Sequence, residues 1–480
     1  MQWHAHTRRL GEIEQQLARD PRADLQLWLD RASVCEALGL HDHAKRAYFD
    51  VLVRDPSHYD AMMGLAELLA RTGDADGARV FFAEAVLRHP QRALPHARLG
   101  NVLLERDELE AASAALRDAL RLDPDLREAN RGLAAMLERN GDQAGAERAW
   151  RKAYPSGSLE IAPYRGAGAP VRVLLVTSAT GGNIPIQHLL DDRVFEVATV
   201  IAESDPGMTV LPPHGVVLNA IGEADRSARA LAIVERALER SSAVVVNHPS
   251  LVRATGRAAN ARRLATLDGV VCPSIVAFPR DELRSAAGAA LLAERGFTWP
   301  LLLRSPGFHT GEHFALVERA AELAAVADSL PGPELLAISY VETRGADERW
   351  RKYRVMFVDG QLYPLHLAIA AQWKVHYFSA EMADDARHRD EERAFLEDMD
   401  GTLGPRVMHA LACIASTVGL DYGGVDFALD REGRVVVFEA NATMVVTGVD
   451  DDPRWAYRTI AVNRVADAVR AMLIERANRW

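Results

Sequence analysis

ARVFFAEAVLRHPQRALPHARLGNVLLERDELEAASAALRDALRLDP, residues 78–124, is where the chain first shows that it repeats itself. Ala78, Phe82, Ala85 and Pro90 open the stretch. Ala112, Leu116, Ala119 and Pro124 close it, 34 residues further on. Reading outward, the same grid holds Pro56, the small residues Ala44 and Ala146, and the bulky residues Tyr48 and Trp150. Gly39, Gly73 and Gly141 also fall on it, with Asp107 at the missing step. A fixed period of this length marks stacked supersecondary units. Each unit reads as two amphipathic helices. The alanines let the helices approach, and the bulky residue fills the space between them. The proline stops the second helix, and the glycine turns the chain. One such hairpin cannot bury its apolar face alone, so the units must stack.

These positions resemble the tetratricopeptide repeat. The resemblance covers about residues 24 to 154 with a half-repeat helix before it, so residues 1–154 are assigned to an all-α repeat solenoid. It implies a concave groove that holds a peptide or protein partner. Residues 155–170, from Pro155-Ser156-Gly157 to Ala169-Pro170, are rich in Gly and Pro and read as a linker.

Beyond the linker the pattern changes. Val171–Val176, Val194–Ile201 and Ala243–Asn247 read as buried strands, and Asp225–Arg240 as an amphipathic helix. Strands alternating with helices predict a largely parallel sheet, an α/β domain over residues 171–270. Thr180-Gly181-Gly182-Asn183, after the first strand, fits either a phosphate-binding turn or the commoner plain tight turn. Residues 271–480 hold more strands with fewer helices between them. Pro300–Arg304, Glu334–Val341, Tyr353–Val358, Leu362–Ile369, Tyr422–Leu429 and Arg434–Ala440 read as strands. Asp359-Gly360 is a hairpin turn, and helices at 404–418 and 456–476 are expected to cover the sheet.

The last hairpin carries chemistry. Residues two apart on a strand share a face, so Glu439 and Asn441 point the same way, and Asp426 reaches them from the strand alongside. Two carboxylates and a carboxamide oxygen suit a hard cation such as Mg2+, which keeps places for nucleotide phosphates. Both strands are otherwise apolar, and buried carboxylates require compensation.

This arrangement resembles the ATP-grasp superfamily of glutathione-synthetase-like ligases, whose closing signature is an acid on one strand and Glu-x-Asn on the next. The resemblance extends over about residues 171 to 475 and implies an α/β pre-ATP-grasp domain followed by an α+β ATP-grasp fold. Asn247-His-Pro-Ser, Thr255-Gly-Arg257 and Val271-Cys-Pro-Ser match the entry to the grasp domains. Phe297-Thr-Trp-Pro-Leu-Leu-Leu-Arg304 matches a strand ending in a phosphate-binding cation. Ser305-Pro-Gly307-Phe-His309-Thr-Gly311 matches the glycine-rich loop over the phosphates. Ile338-Ser339-Tyr340-Val341 matches the hinge strand that meets adenine. Arg354 matches an arginine near the phosphates or acyl group. Members carry lysine where Arg257 and Arg304 stand here. The guanidinium keeps the charge and suits phosphate, so nucleotide binding is less affected by this departure than turnover.

The resemblance implies ATP and Mg2+ as cofactors and ligation of a carboxylate to an amine through an acyl phosphate. Arg304, Arg354 and His309 are then the catalytic candidates. Arg257, Gly307, Gly311, Ser339, Tyr340, Val341 and Asp347 (the last toward ribose) hold nucleotide, and Asp426, Glu439 and Asn441 hold metal. Small-molecule or peptide substrates fit, and the superfamily's habit implies a homodimer. Two rival readings remain open: a repeat scaffold whose grasp domain only senses nucleotide, and a small-molecule kinase. His366, alternating with apolar residues on its strand, reads as a core histidine. No third ligand accompanies it and His376, so the pair makes no zinc site. Lys374 reads as a substrate-carboxylate ligand or, more commonly, a solvated lysine.

Composition excludes other classes. With 67 acidic against 56 basic residues and no basic stripe, nucleic acid is not an expected partner. Cys35, Cys272 and Cys413 are isolated, which suits a reducing, cytoplasmic setting. Met1 to Arg9 lacks the apolar core of a signal peptide. No apolar run approaches the roughly 18 residues that span a bilayer, so no membrane partner is expected.

Overall fold

The computed structural model describes the chain apart from residues 1, 21–23, 39, 73, 107, 156, 180, 205–210, 226, 307–312, 376–381, 447–451 and 480. The chain divides into two compact units, Met1–Ser158 and Leu159–Trp480.

The first unit is helical throughout its regular structure. Its helices are α1 (Gln2–Arg19), α2 (Leu25–Ala37), α3 (His41–Arg54), α4 (Tyr59–Arg71), α5 (Ala75–Arg88), α6 (Ala93–Glu105), α7 (Leu109–Leu122), α8 (Arg127–Arg139) and α9 (Gln143–Ala153). The 34-residue grid sets their packing. Ala44, Ala78, Ala112 and Ala146 are fully buried on α3, α5, α7 and α9. One turn further on, Tyr48, Phe82, Leu116 and Trp150 fill the space that the alanines leave, and all four are buried. The filling is close. A methyl group added at Gly64 of α4 would lie 2.5 Å from the Tyr48 ring. Polar tips are satisfied in register: the Tyr48 hydroxyl and the Trp150 indole N–H donate to Glu36 and Glu138, each twelve residues earlier. Pro56, Pro90 and Pro124 stand two residues past the ends of α3, α5 and α7. The residue before Pro56 is extended, at φ −134° and ψ 92°, as a following proline demands. Gly141 takes the left-handed turn at φ +78°. Gly39, Gly73 and Asp107 lie outside the described residues.

Among the described residues, the second unit contains three sheets. Its strands are β1 (Glu160–Ile161), β2 (Val171–Thr177), β3 (Phe195–Ile201), β4 (Val216–Asn219), β5 (Val244–Val246), β6 (Val270–Val271), β7 (Ile275–Pro279), β8 (Leu301–Arg304), β9 (Phe314–Val317), β10 (Glu334–Ser339), β11 (Trp350–Val358), β12 (Gln361–Ala370), β13 (Tyr422–Leu429) and β14 (Val435–Asn441). The first sheet runs β1-β3-β2-β4-β5. It is parallel apart from the antiparallel edge strand β1, as the alternation of strands and helices predicts. The second, β7-β10-β8-β9, is antiparallel. The third runs β12-β11-β13-β14-β6, antiparallel except where β6 lies parallel to β14.

Asp359 and Gly360 join β11 to β12 with φ of +50° and +76°, the signs that a two-residue hairpin turn of the primed kind requires. Helices Ala386–Glu397, Met399–Val418 and Thr459–Ala477 pack on the third sheet. The second of these bends at Gly404 and Pro405. Residue 270, taken from sequence as the end of the α/β domain, falls within β6. Because β6 pairs with β14, that point is tied to the third sheet. Among the described residues, no helix is long and apolar enough to cross a membrane.

Candidate functional site

The second unit encloses a cavity of about 610 Å3. Strands of the second and third sheets line it, and the helix Arg257–Leu264 adds its first turns. Each charged side chain on its wall has a local reason to be there. Arg257 opens its helix, and its guanidinium meets Glu439 at 3.4 Å. Asn260, one turn on, donates to the Ala440 carbonyl at 2.6 Å and fastens that helix to β14. Its Oδ1 atom is buried with no hydrogen-bond partner among the described residues. Arg304 ends β8. Burial, then the charge of Arg257, lowers its pKa to about 10, with Glu439 and Glu223 opposing.

β11 carries Lys352 and Arg354 two residues apart, hence on one face. Arg354 lies opposite Asp426 of β13 in the register. Its guanidinium forks onto that carboxylate, Nε to Oδ1 at 2.6 Å and a terminal nitrogen to Oδ2 at 2.9 Å. The Lys352 ammonium stands 3.1 Å from Oδ2. Asp426 is 1% exposed. Burial alone would push its carboxyl up. The charges of Arg354 and then Lys352 outweigh burial and hold it well below the usual carboxylate range. On the other side of β11, His366 of β12 is the register partner of Arg354. Burial first, and the Arg354 charge second, keep it far below the usual histidine value, so it is neutral.

Glu439 pairs in register with Asp426, next to a bulge that interrupts the β13–β14 ladder. Glu439 retains about a third of its side-chain exposure. Asn441, two residues on, accepts from the Thr443 N–H at 3.0 Å and hydroxyl at 2.8 Å. The residues Ser339, Tyr340 and Val341 also line the cavity, with apolar Ile275, Leu302 and Ile338. Among the described residues, six cationic side chains and three carboxylates line the cavity. Arg458 is already paired with buried Glu392, so with His366 neutral the wall has an excess of two positive charges, and a polyanionic ligand suits it.

The fold therefore gathers Arg257, Arg304, Ser339, Tyr340, Val341, Arg354, Asp426, Glu439 and Asn441 around one cavity. Asp426 departs from the sequence expectation, because its oxygens are taken by cations rather than left for a metal. Asp347 departs further. It is absent from the wall, and both its oxygens are bound by Arg351 at 2.9 and 2.8 Å. The Arg351 hydrogen bonds lower its pKa to about 2. Gly307, His309, Gly311 and His376 lie outside the described residues. Of the Gly-Gly turn, Gly182 and Asn183 reach the wall. Sequence reading missed Lys352, Glu223 and Asn260. Lys352 was legible as the residue two before Arg354, had the strand been extended to its observed start at Trp350.

The tetratricopeptide repeat family model matches residues 29–95 and 97–163. The N-terminal unit is a tetratricopeptide-repeat array. Cellulose synthase operon protein C of Pseudomonas fluorescens (strain SBW25) is 31% identical over 180 residues, 34% of this chain and 13% of that protein. The chain thus spans little more than a tenth of the length of this curated relative. Among solved structures, TTC0263, a thermophilic tetratricopeptide-repeat protein of Thermus thermophilus, is 25% identical with a TM-score of 0.27, over 32% of this chain and 86% of its own. MamA is 24% identical with a TM-score of 0.26, over 27% and 72%.

Proposed function

We propose that the second unit is an ATP-dependent carboxylate–amine ligase of the ATP-grasp kind, and that the repeat array holds a peptide or protein partner. One observation carries the ligase reading. A single cavity combines cationic side chains, those of Arg257, Arg304, Lys352 and Arg354, with an apolar wall beside Ser339–Val341. A triphosphate suits the first and a flat base the second.

Phosphoryl transfer asks the protein for position and charge neutralisation more than for a covalent nucleophile. Arg257 and Arg304 neutralise the phosphates. The substrate carboxylate, oriented by Arg354, attacks the γ-phosphorus and expels ADP, giving an acyl phosphate. An amine then displaces phosphate and loses a proton. Glu439 is the oxygen donor that fits Mg2+ as it stands, and Asn441 would fit it only when its carboxamide oxygen is released by Thr443. Asp426 fits it only when released by Arg354 and Lys352. When bound, Mg2+ supplies charge neutralisation at the β- and γ-phosphates.

A second reading is favoured by that same occupation of Asp426 and by arginine at both expected lysine positions. It makes the unit a nucleotide-sensing domain on a repeat scaffold. Substrate-dependent ADP release separates the two. Incubation with ATP, Mg2+, pooled amino acids and candidate peptides, read by mass spectrometry, is expected to give ADP and an amide. Glu439→Gln is expected to abolish both while the protein stays folded. ADP release unchanged in that variant would refute the site. Nucleotide binding with no substrate-dependent ADP release leaves the sensor reading.

A further inference from the structure

Lys352 is assigned no role by the signature residues, yet it sits at the centre of the cavity's charge balance. Two cations share one buried carboxylate: the Arg354 fork takes both Asp426 oxygens, and the Lys352 ammonium adds a third contact at 3.1 Å. The side chains of Lys352 and Arg354 are 14% and 17% exposed, so water screens them weakly. The cluster as a whole carries one excess positive charge, and all three side chains line the cavity. A divalent cation approaching Asp426 would meet two fixed positive charges within contact distance of the same oxygens.

We propose that Lys352 and Arg354 together form a lock on Asp426 and a seat for an anionic oxygen of the ligand, so that a divalent cation gains Asp426 only after an anion has drawn the two cations away. The inference rests on the reading of this cavity as a nucleotide and cation site. Lys352 is thereby a positioning residue: it decides when Asp426 becomes a ligand. Because the lock and a cation compete for the same Asp426 oxygens, whatever weakens the lock must strengthen cation binding in the absence of anion. Removing Lys352 also removes half of the seat, so metal-free anion binding must weaken. A residue that serves only the fold would not move the two affinities in opposite directions.

The test uses the full chain and two probes. Mn2+ alone is titrated by electron paramagnetic resonance. A fluorescent ATP analogue is titrated in excess chelator. Wild type, Lys352→Met and the double variant Lys352→Met/Asp426→Asn are compared, with Lys352→Gln as the substitute if the methionine variant fails to fold. The expected result is Mn2+ binding tightened roughly tenfold in the single variant, a typical coupling. The double variant returns to the wild-type value, and metal-free nucleotide binding weakens in the single variant. Unchanged Mn2+ affinity in a folded Lys352 variant, or tightening that persists in the double variant, overturns the lock. Failure of the nucleotide to bind wild type at all overturns the ligase reading instead, and the Mn2+ comparison still decides the lock.

Discussion

Asp426 and Glu439 are cross-strand neighbours with opposite fates, and their difference is measurable. Asp426→Asn leaves two buried cations around a neutral amide, which costs about 3–5 kcal/mol. Glu439 faces the cavity with about a third of its surface exposed and one contact to Arg257 at 3.4 Å. Glu439→Gln is expected to cost less than about 1 kcal/mol. Urea unfolding of the second unit checks both, and equal losses would contradict the cluster. His366 makes a second prediction. Its folded pKa lies well below the ordinary histidine value because burial and Arg354 oppose the charge. As pH falls below about 6.5, the unfolded chain takes up a proton that the folded chain refuses. Stability is therefore fully present above that pH and falls by up to about 1.4 kcal/mol per unit as pH drops toward the folded pKa. In His366→Asn this component of the pH slope is expected to vanish, as unfolding curves at pH 7, 6 and 5 would show. The residues that line the cavity were mostly legible as types at fixed spacings. Their partners were not: nothing in the spacing says that Arg351 takes Asp347, or that Arg354 and Lys352 both meet Asp426.

At the level of elements, long periodic segments were readable and short strands only in part: β5 and β8 were read from continuous apolar runs. β13 runs Tyr422–Leu429, as its apolar run and following turn predict. The 34-residue grid likewise places a close-packed bulky residue on each second helix of the repeats. Phe82 on α5 is 1% exposed. Phe82→Ala is expected to cost about 3–5 kcal/mol through the cavity it leaves, seen as a lower urea midpoint for the helical unit. β4, β7 and β9 escaped prediction. Each has only four or five residues, too few to display a period, and Val216–Asn219 is uniformly buried. Such strands exist because neighbours supply their ladder hydrogen bonds, and local sequence does not record a neighbour.

For the whole molecule, each unit has apolar cores of its own. Residues 1–158 expressed alone are therefore expected to fold as a helical array, and residues 159–480 alone to show the nucleotide binding proposed for the second unit. Circular dichroism of the first fragment and fluorescent-nucleotide titration of the second check this. A helical fragment that melts without cooperativity would show that it needs the rest of the chain. Sequence by itself determined the repeat array, the parallel sheet and the last hairpin, because each rests on a local period that every copy or strand must obey. Tertiary structure alone decided that the second unit closes one cationic cavity from two sheets and a helix. It also decided that Lys352 enters the cavity wall, and that Asp426 meets both Arg354 and Lys352. Charges far apart in the chain acquire their meaning only when folding removes the water between them.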